Sequence, residues 1–290
     1  MGLIRINNVK TIPWLPINNS RTIGGAPPED LLRLLIPPPG ETPRPFNVIY
    51  YDTVGSTNDT ARELAALDYP HGTTVVADAQ ERGRGRHSRT WFSPRGLNLY
   101  MSIILREIPP CDAPLTGLAA SLAAARAVER LTGLAAWPKW PNDIYVGQKK
   151  LGGILPESSS RGGILNHLIV GIGINVNMEE CDFPHAIKEI ATSIAVETSG
   201  RVQRGVIASG VLSDFHDCLK LLHRHKERLI RRWSTASRTI NSRVRVAAAG
   251  GEFLEGTAVG LDDGGRLMLK TDDGRVIAVG ASEVINAPCR

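Results

Sequence analysis

Residues Thr73–Trp91 read TTVVADAQERGRGRHSRTW, and the change of character at Gln80 decides how the chain is to be folded. The run Thr73–Ala79 is β-branched and small, which predicts a strand. The stretch that follows places Arg82, Arg84, Arg86 and Arg89 close together, interleaved with Gly83 and Gly85. Glycine permits positive φ and close backbone approach, leaving amide N–H groups free to donate. Arginine adds a planar five-donor fork suited to phosphate and carboxylate oxygens. Such a segment is an anion cradle or a solvated basic loop, and a poor helix or strand. As a cradle it is expected to be mobile when empty and ordered by an anionic ligand.

Outward from this loop the chain alternates strands with helices. Asn47–Asp52 (NVIYYD) predicts a strand, and Ser56 suits the N-cap of a helix over Thr57–Leu67. Leu97–Leu105 predicts a third strand. Ala113–Leu131 spaces Leu115, Leu118, Leu122, Ala125 and Val128 three or four apart, an amphipathic helix that Gly133 can end. Ile144–Val146 and Gly152–Leu155 predict a hairpin about Gly147, and Leu165–Asn175 an apolar strand. A long helix is expected over Arg204–Trp233, with Ile207, Val211, Phe215, Leu219, Leu222, Leu229 and Trp233 on one stripe. From Arg243 the runs shorten and alternate between turns at Asp262–Gly265 and Asp272–Gly274, the pattern of a small β-barrel or meander. The fold class is therefore α+β. Residues Met1–Pro45 are broken by Pro13, Pro16, Pro27, Pro28, Pro37–Pro39, Pro43 and Pro45, leaving only Asp30–Ile36 for a short helix. An extended arm, dispensable for catalysis, is expected there.

Composition excludes several classes. The 290 residues can bury a full core, and 42% apolar with 22% charged residues is ordinary for a globular protein. A net charge of +5 fits anionic small molecules or an acidic partner without demanding nucleic acid. Cys111, Cys181, Cys218 and Cys289 show no CxxC spacing, which argues against a zinc site and a disulfide framework. No secretory signal is visible, and the uncharged, alanine-rich stretch Ala113–Ala125 is too short to span a bilayer. A cytoplasmic protein with no membrane association is expected. GIGINV lacks the third glycine of GxGxxG, and no GxxxxGK[ST] occurs, so any nucleotide is held by neither loop.

Taken in order, Ser56-Thr57-Asn58, Gln80, the basic loop, Ser93–Ser102 (SPRGLNLYMS) and Lys139–Leu155 (KWPNDIYVGQKKLGGIL) resemble the catalytic domain of the biotin protein ligases. The resemblance runs from about Phe46 to the C-terminus. It implies activation of biotin with ATP to biotinyl-5'-AMP, then transfer to a lysine of a biotin carboxyl carrier protein. It also implies a class II synthetase-like mixed sheet with helices packed on it over residues 46–238, and an SH3-like C-terminal domain over 239–290. Some members carry an N-terminal DNA-binding helix-turn-helix, which the proline-rich arm 1–45 cannot form. The form without that domain, and no DNA partner, are expected. A homodimer is compatible with the resemblance.

By the same resemblance Ser56, Thr57, Asn58, Gln80, Arg84, Gly85, Arg86 and Lys150 are the biotin-binding positions. Arg84, Arg86, Arg89, Asn142, Gly173 and Asn175 fall to ATP and its phosphates, with close backbone approach at Gly171 and Gly173. Lys150, Arg86 and Asp143 are the candidate catalytic residues, and Asn142 and Asp143 are candidates for Mg²⁺. Locally, other readings stay open: Ser56-Thr57-Asn58 as a helix cap, Asn142-Asp143 as an Asx-type turn, Lys139 as a surface lysine, and Trp91 and Trp140 as core. A lipoate–protein ligase shares the two-step logic, but its usual RRxSGGGAVxH-like loop is absent. An RNA-binding module, of a different class, would want more interleaved aromatics.

Overall fold

The computed structural model describes residues 21–23, 26–31, 34, 46–161, 164–247, 253–280 and 284–286. Most of the expected N-terminal arm, and Cys289, lie outside these residues.

Strand β1 (Arg21–Ile23) runs parallel to β2 (Asn47–Val54). A 3-10 turn at Glu29–Leu31 lies between them; of the short helix expected over Asp30–Ile36, Leu34 is helical, and residues 32–33 and 35–36 lie outside the described residues. Helix α1 (Thr57–Ala66) crosses over to β3 (Thr73–Gln80), which pairs parallel with β2. Strand β4 (Leu99–Leu105) is antiparallel to β3. After helix α2 (Ala113–Thr132) come β5 (Ala136–Lys139), β6 (Asp143–Val146), β7 (Lys149–Arg161) and β8 (Ile164–Ile174). These four form an antiparallel run whose last strand returns to pair with β4. The result is one mixed eight-stranded sheet, ordered β1-β2-β3-β4-β8-β7-β6-β5.

Strand alternation sorts the residues of this sheet between two faces. Leu99, Met101, Ile103 and Leu105 of β4, with Leu168, Val170, Ile172 and Ile174 of β8, enter the main core with α2. Ile104 and Ile169, one residue out of phase, pack instead with Ala61, Leu64 and Ala65 of α1. Helix α1 covers only part of that second face. Beyond it the face carries small and polar residues, and there the site forms.

Helix α2 is buried nearly all round because alanines let it pack closely against β5–β8 and the later helices; Gly133, at φ 76°, ends it. Each fully buried Leu or Val there contributes roughly 1.5–3 kcal/mol. Its neighbour Pro156 sits inside β7, where proline is tolerated because β6 pairs with β7 only as far as Gly153.

A short helix α3 (Ile194–Thr198) precedes two longer ones. The single helix expected over Arg204–Trp233 is in fact α4 (Arg204–Arg224) and α5 (Lys226–Ala236), broken at His225, whose φ of −149° and ψ of 60° leave helical space. The apolar stripe continues across the break through Leu222, Leu229 and Trp233, so periodicity alone runs past it. Arg204, 1% exposed, is held by two carboxylates. Its Nε and Nη2 donate to Asp30 at 2.6 and 2.9 Å, and its Nη1 donates to Asp78 at 2.8 Å.

The C-terminal residues form a second sheet from β9 (Arg243–Ala247), β10 (Phe253–Leu261), β11 (Leu267–Lys270), β12 (Val276–Val279) and β13 (Val284–Asn286). It is antiparallel and ordered β12-β11-β10-β9-β13. Among the described residues its two end strands do not pair, so the barrel expectation is met as an open five-stranded sheet.

Candidate active site

A cavity of about 290 Å³ opens on the uncovered part of the large sheet. Every residue given a biotin, ATP or catalytic role from the sequence lines it: Ser56, Thr57, Asn58, Gln80, Arg84, Gly85, Arg86, Arg89, Asn142, Asp143, Lys150, Gly173 and Asn175; Arg82 and Gly83 of the basic loop do not.

The floor is made by glycine. On β8, Gly171 and Gly173 lie opposite Ser102 and Tyr100 of β4, and opposite Leu155 and Gly153 of β7. A Cβ at Gly171 would lie 2.2 Å from Asn58 Oδ1, and one at Gly173 would lie 2.8 Å from the Trp91 indole. The close approach expected at these positions is thus made by this chain's own side chains. Asn175 is buried and donates to the Thr192 carbonyl at 2.9 Å, a bond that ties the end of β8 to the segment before α3.

Over this floor runs one polar network. The Gln80 Oε1 accepts from the Thr57 backbone N–H at 2.8 Å and lies 3.1 Å from the Thr57 hydroxyl. Gln80 Nε2 donates to Ser93 Oγ at 2.9 Å, and Ser93 donates to the Trp91 carbonyl at 2.9 Å. The Ser102 hydroxyl lies 2.8 Å from Thr57 Oγ1 and 2.6 Å from Asn58 Oδ1. Asn58 Nδ2 donates to the Leu155 carbonyl at 3.2 Å and to Glu157 Oε2 at 2.7 Å. Asn58 is therefore engaged through both its amide hydrogens and its oxygen, which makes it a frame for the pocket. Ser56 sits at the N-cap of α1 but makes no cap bond; its side chain is buried on the cavity wall.

The basic loop closes on itself as a small hairpin. Arg84 bridges Thr90, Gly85 N–H donates to the Arg89 carbonyl at 2.7 Å, and Trp91 N–H to the Gly83 carbonyl at 2.9 Å. Positive φ falls on His87 (53°) and Ser88 (59°), not on the glycines to which the sequence reading gave it. Gly83 is needed for space instead, since a Cβ there would lie 2.4 Å from the Trp91 carbonyl oxygen.

Arg84, Arg86, Arg89 and Lys150, four of the cations that line the cavity, are placed differently. The Arg84 Nη2 lies 2.6 Å from Glu157 Oε2 and 2.9 Å from Asp59 Oδ1. Two carboxylates thus offset its charge, which weakens the phosphate role expected of it. Arg86 Nη1 donates to Asn142 Oδ1 at 3.1 Å, and Asn142 Nδ2 donates to the Ile154 carbonyl at 2.6 Å. Arg89 is exposed at the cavity's edge. Lys150 Nζ lies 2.7 Å from Asp143 Oδ1 and 5.6 Å from the centre of the Trp91 ring.

A β-bulge aims Lys150. Pairing steps from Tyr145 opposite Lys150 to Ile144 opposite Gly152, so β7 carries one residue more than β6. The shift lets Lys150 and Gly153, three apart, face the same cavity. Its backbone is fixed from the other side by Ile190 and Thr192: Lys150 N–H donates to the Ile190 carbonyl at 2.8 Å, and its carbonyl accepts from Thr192 N–H at 2.9 Å. Lys139, read from the sequence as a surface lysine, stacks its ammonium 4.5 Å from the Tyr145 ring centre. Trp140 is core, at 2% exposed, whereas Trp91 is half-buried on the cavity wall. Burial pushes the Tyr100 hydroxyl well above the ordinary phenol range, and it donates to the Pro94 carbonyl at 3.0 Å.

Two buried donors on this wall, Trp91 Nε1 and Arg84 Nε, have no hydrogen-bond partner among the described residues. Buried N–H groups are nearly always paired, so these two are exceptions; the Trp91 indole packs on the Gly173 backbone. Asp143 is the one acidic residue on the wall, and no cluster of three or more His, Cys, Asp or Glu occurs among the described residues. The two candidates for Mg²⁺, Asn142 and Asp143, stand side by side on the wall, with Asn142 Oδ1 held by Arg86 and Asp143 Oδ1 by Lys150. Ser93 and Ser102, the two ends of the SPRGLNLYMS stretch, join the site although no role was assigned to them, and Asp59 of α1 and Glu157 of β7 join it with no local pattern to flag them.

Comparison with known proteins agrees with this geometry. Residues 50–175 match the model of the biotin/lipoate A/B protein ligase family, and residues 239–285 the biotin protein ligase C-terminal domain. The bifunctional ligase/repressor BirA of Bacillus subtilis is 38% identical over 230 residues, 79% of this chain and 70% of that protein. The biotin–[acetyl-CoA-carboxylase] ligase of Mycobacterium tuberculosis is 32% identical over 246 residues, 80% of this chain and 86% of that one. Among solved structures, the biotin protein ligase of Aquifex aeolicus in complex with biotin and ATP superposes with a TM-score of 0.71 at 31% identity, covering 83% of this chain and 99% of that one. No helix among the described residues is long and apolar enough to cross a membrane.

Proposed function

The chain belongs to the biotin/lipoate A/B protein ligase family, and from that membership we propose that it is a biotin protein ligase. It activates biotin with ATP to biotinyl-5'-AMP and transfers the biotinyl group to a lysine of a biotin carboxyl carrier protein. The observation that carries this reading is the convergence of the Thr57–Gln80 network, Arg86 and Lys150 on one cavity. A neutral ureido ring is a polar object that needs each N–H and its C=O satisfied in a largely apolar pocket. Thr57, Gln80 and Ser56 offer hydroxyl and amide groups that both donate and accept.

In the first step a biotin carboxylate oxygen attacks the α-phosphorus of ATP, and pyrophosphate leaves. Negative charge builds on the phosphate oxygens, and Lys150, Arg86 and Arg89 supply the cations that stabilise it. Asp143 holds the Lys150 ammonium in place until that charge develops. Mg²⁺ bound with the nucleotide, held by Asp143 and Asn142, would neutralise phosphate charge. In the second step a carrier lysine amine attacks the acyl carbon, and AMP departs. The amine, with a pKa of ~10.4 when free, arrives mostly protonated. Asp143, the one carboxylate among the described residues of the wall, accepts that proton. The catalytic unit spans residues 46–238 and the C-terminal unit 239–290.

An RNA-binding role is disfavoured, because Arg84 and Arg86 are turned to this chain's own carboxylate and amide oxygens around a cavity. The test is exchange of labelled pyrophosphate into ATP with biotin or lipoate, followed by labelling of a carrier domain. Exchange with biotin alone is expected. Exchange with lipoate alone, or with neither, overturns the reading.

A further inference from the structure

Glu157 lies on β7 two positions beyond Leu155, on the face that carries the cavity. Its Oε2 atom gathers three donors from two segments, α1 and the basic loop. Asn58 Nδ2 of α1 lies at 2.7 Å, Arg84 Nη2 of the basic loop at 2.6 Å, and Arg62 Nη2 of α1 at 3.3 Å. Glu157 itself does not line the cavity. Asn58 passes its orientation on through Ser102, which touches both Asn58 Oδ1 and Thr57 Oγ1. Arg84 fixes the base of the loop hairpin through its bridge to Thr90.

We propose that Glu157 is a positioning residue for biotin: it clamps α1 and the basic loop to β7, so that the pocket's donors and acceptors are in place before the ligand arrives. The inference rests on the ligase reading and goes beyond it. A pocket whose polar groups are already oriented loses less freedom on binding. The side chain is specified by the reach of its oxygen more than by its charge. Aspartate is one methylene shorter and cannot meet donors on both α1 and the loop. Glutamine keeps an oxygen at the same distance.

The test uses the full chain with substitutions at this one position. Biotin affinity is measured by titration calorimetry, and affinity for a non-hydrolysable ATP analogue beside it. Glu157→Ala and Glu157→Asp are expected to weaken biotin binding about tenfold, the loss of a charge-assisted bond or two. Glu157→Gln is expected to recover most of it, and the ATP analogue to bind all four proteins alike. In the ligand-free chain, trypsin should cut after Arg84 faster in the Ala and Asp variants. Biotin affinity equal to wild type in Ala and Asp overturns the proposal. So does a parallel loss of biotin and ATP affinity with a lowered melting temperature, which is what a merely structural role gives. Should the Ala variant not fold, the Asp–Gln comparison decides in the same way. Wild type that takes no biotin sinks the ligase reading instead, and an unchanged trypsin rate at Arg84 then sinks the clamp separately.

Discussion

The indole Nε1 of Trp140 donates to the carbonyl oxygen of Gly265 at 3.0 Å, joining the large sheet to a turn of the C-terminal sheet. The backbone N–H of Trp140 also donates to Thr239 Oγ1 at 3.3 Å. Trp140 stands immediately before Pro141-Asn142-Asp143, so the turn that presents Asn142 and Asp143 to the cavity is tied to the C-terminal unit. Trp140→Phe keeps most of the buried ring but strands the Gly265 carbonyl. A stability loss of about 1–3 kcal/mol is expected. Thermal denaturation reads that loss, and pyrophosphate exchange should show kcat falling more than the KM for biotin changes. Unchanged kcat in a destabilised protein would assign the contact to the fold alone.

The sequence is most legible where chemistry and local pattern coincide. The Gly/Arg loop, KWPND and KKLGG each carry their residues in one short stretch, and all of them meet at the cavity. What the sequence hides is partnership at long range. Glu157 reaches back 99 residues to Asn58, and Arg204 reaches 174 residues to Asp30, with no spacing rule to announce either. Strand β5 was missed because Ala136–Lys139 is short and contains Pro138, which reads as a breaker but sits on an edge strand. The break at His225 was missed for the opposite reason, since neither glycine nor proline marks it.

Lys150→Ala removes the ammonium that the β7 bulge aims at the cavity. Adenylate formation should slow by ~10²–10³, the usual scale for deleting one group that stabilises developing charge. Biotin-dependent pyrophosphate exchange measures this directly. Near-normal exchange would leave Lys150 as no more than the partner of Asp143.

Asp30 holds a guanidinium that is otherwise buried against Asp78. Burial pushes the Asp30 carboxyl up, but the hydrogen bonds and charge of Arg204 outweigh it and hold the group below its ordinary 3.8. A lowered folded-state value means the contribution is fully present above pH ~3.9 and is lost as pH falls through the depressed value. Asp30→Ala should therefore cost stability at neutral pH, about 3 kcal/mol or less because Asp78 remains. The gap to wild type should narrow below pH ~3.9, read by urea denaturation across pH. Truncation of residues 1–45 removes Asp30 as well, so the arm matters for stability even if catalysis survives its loss. A variant as stable as wild type at pH 7 would show that Asp78 alone suffices.

Arg86→Gly addresses retention of the activated intermediate. Arg86 spans from the loop to Asn142, so it bridges the two stretches that face each other across the cavity. With biotinyl-AMP bound, its guanidinium is placed to exchange the neutral amide oxygen of Asn142 for phosphate oxygens, a stronger charge-assisted bond. The loop then acts as a lid that keeps the mixed anhydride from water and from stray amines. Glycine at this position removes both the bridge and the phosphate contact. The adenylate should then leave before a carrier lysine arrives, and being an acylating agent it should label lysines on unrelated proteins. Wild type or variant is mixed with biotin, MgATP, a carrier domain and excess albumin, and each protein is probed for biotin. Labelled albumin with the variant and not with wild type is expected. If labelling stays confined to the carrier and the adenylate stays bound, Arg86 only decorates the loop, and the lid role falls to other residues.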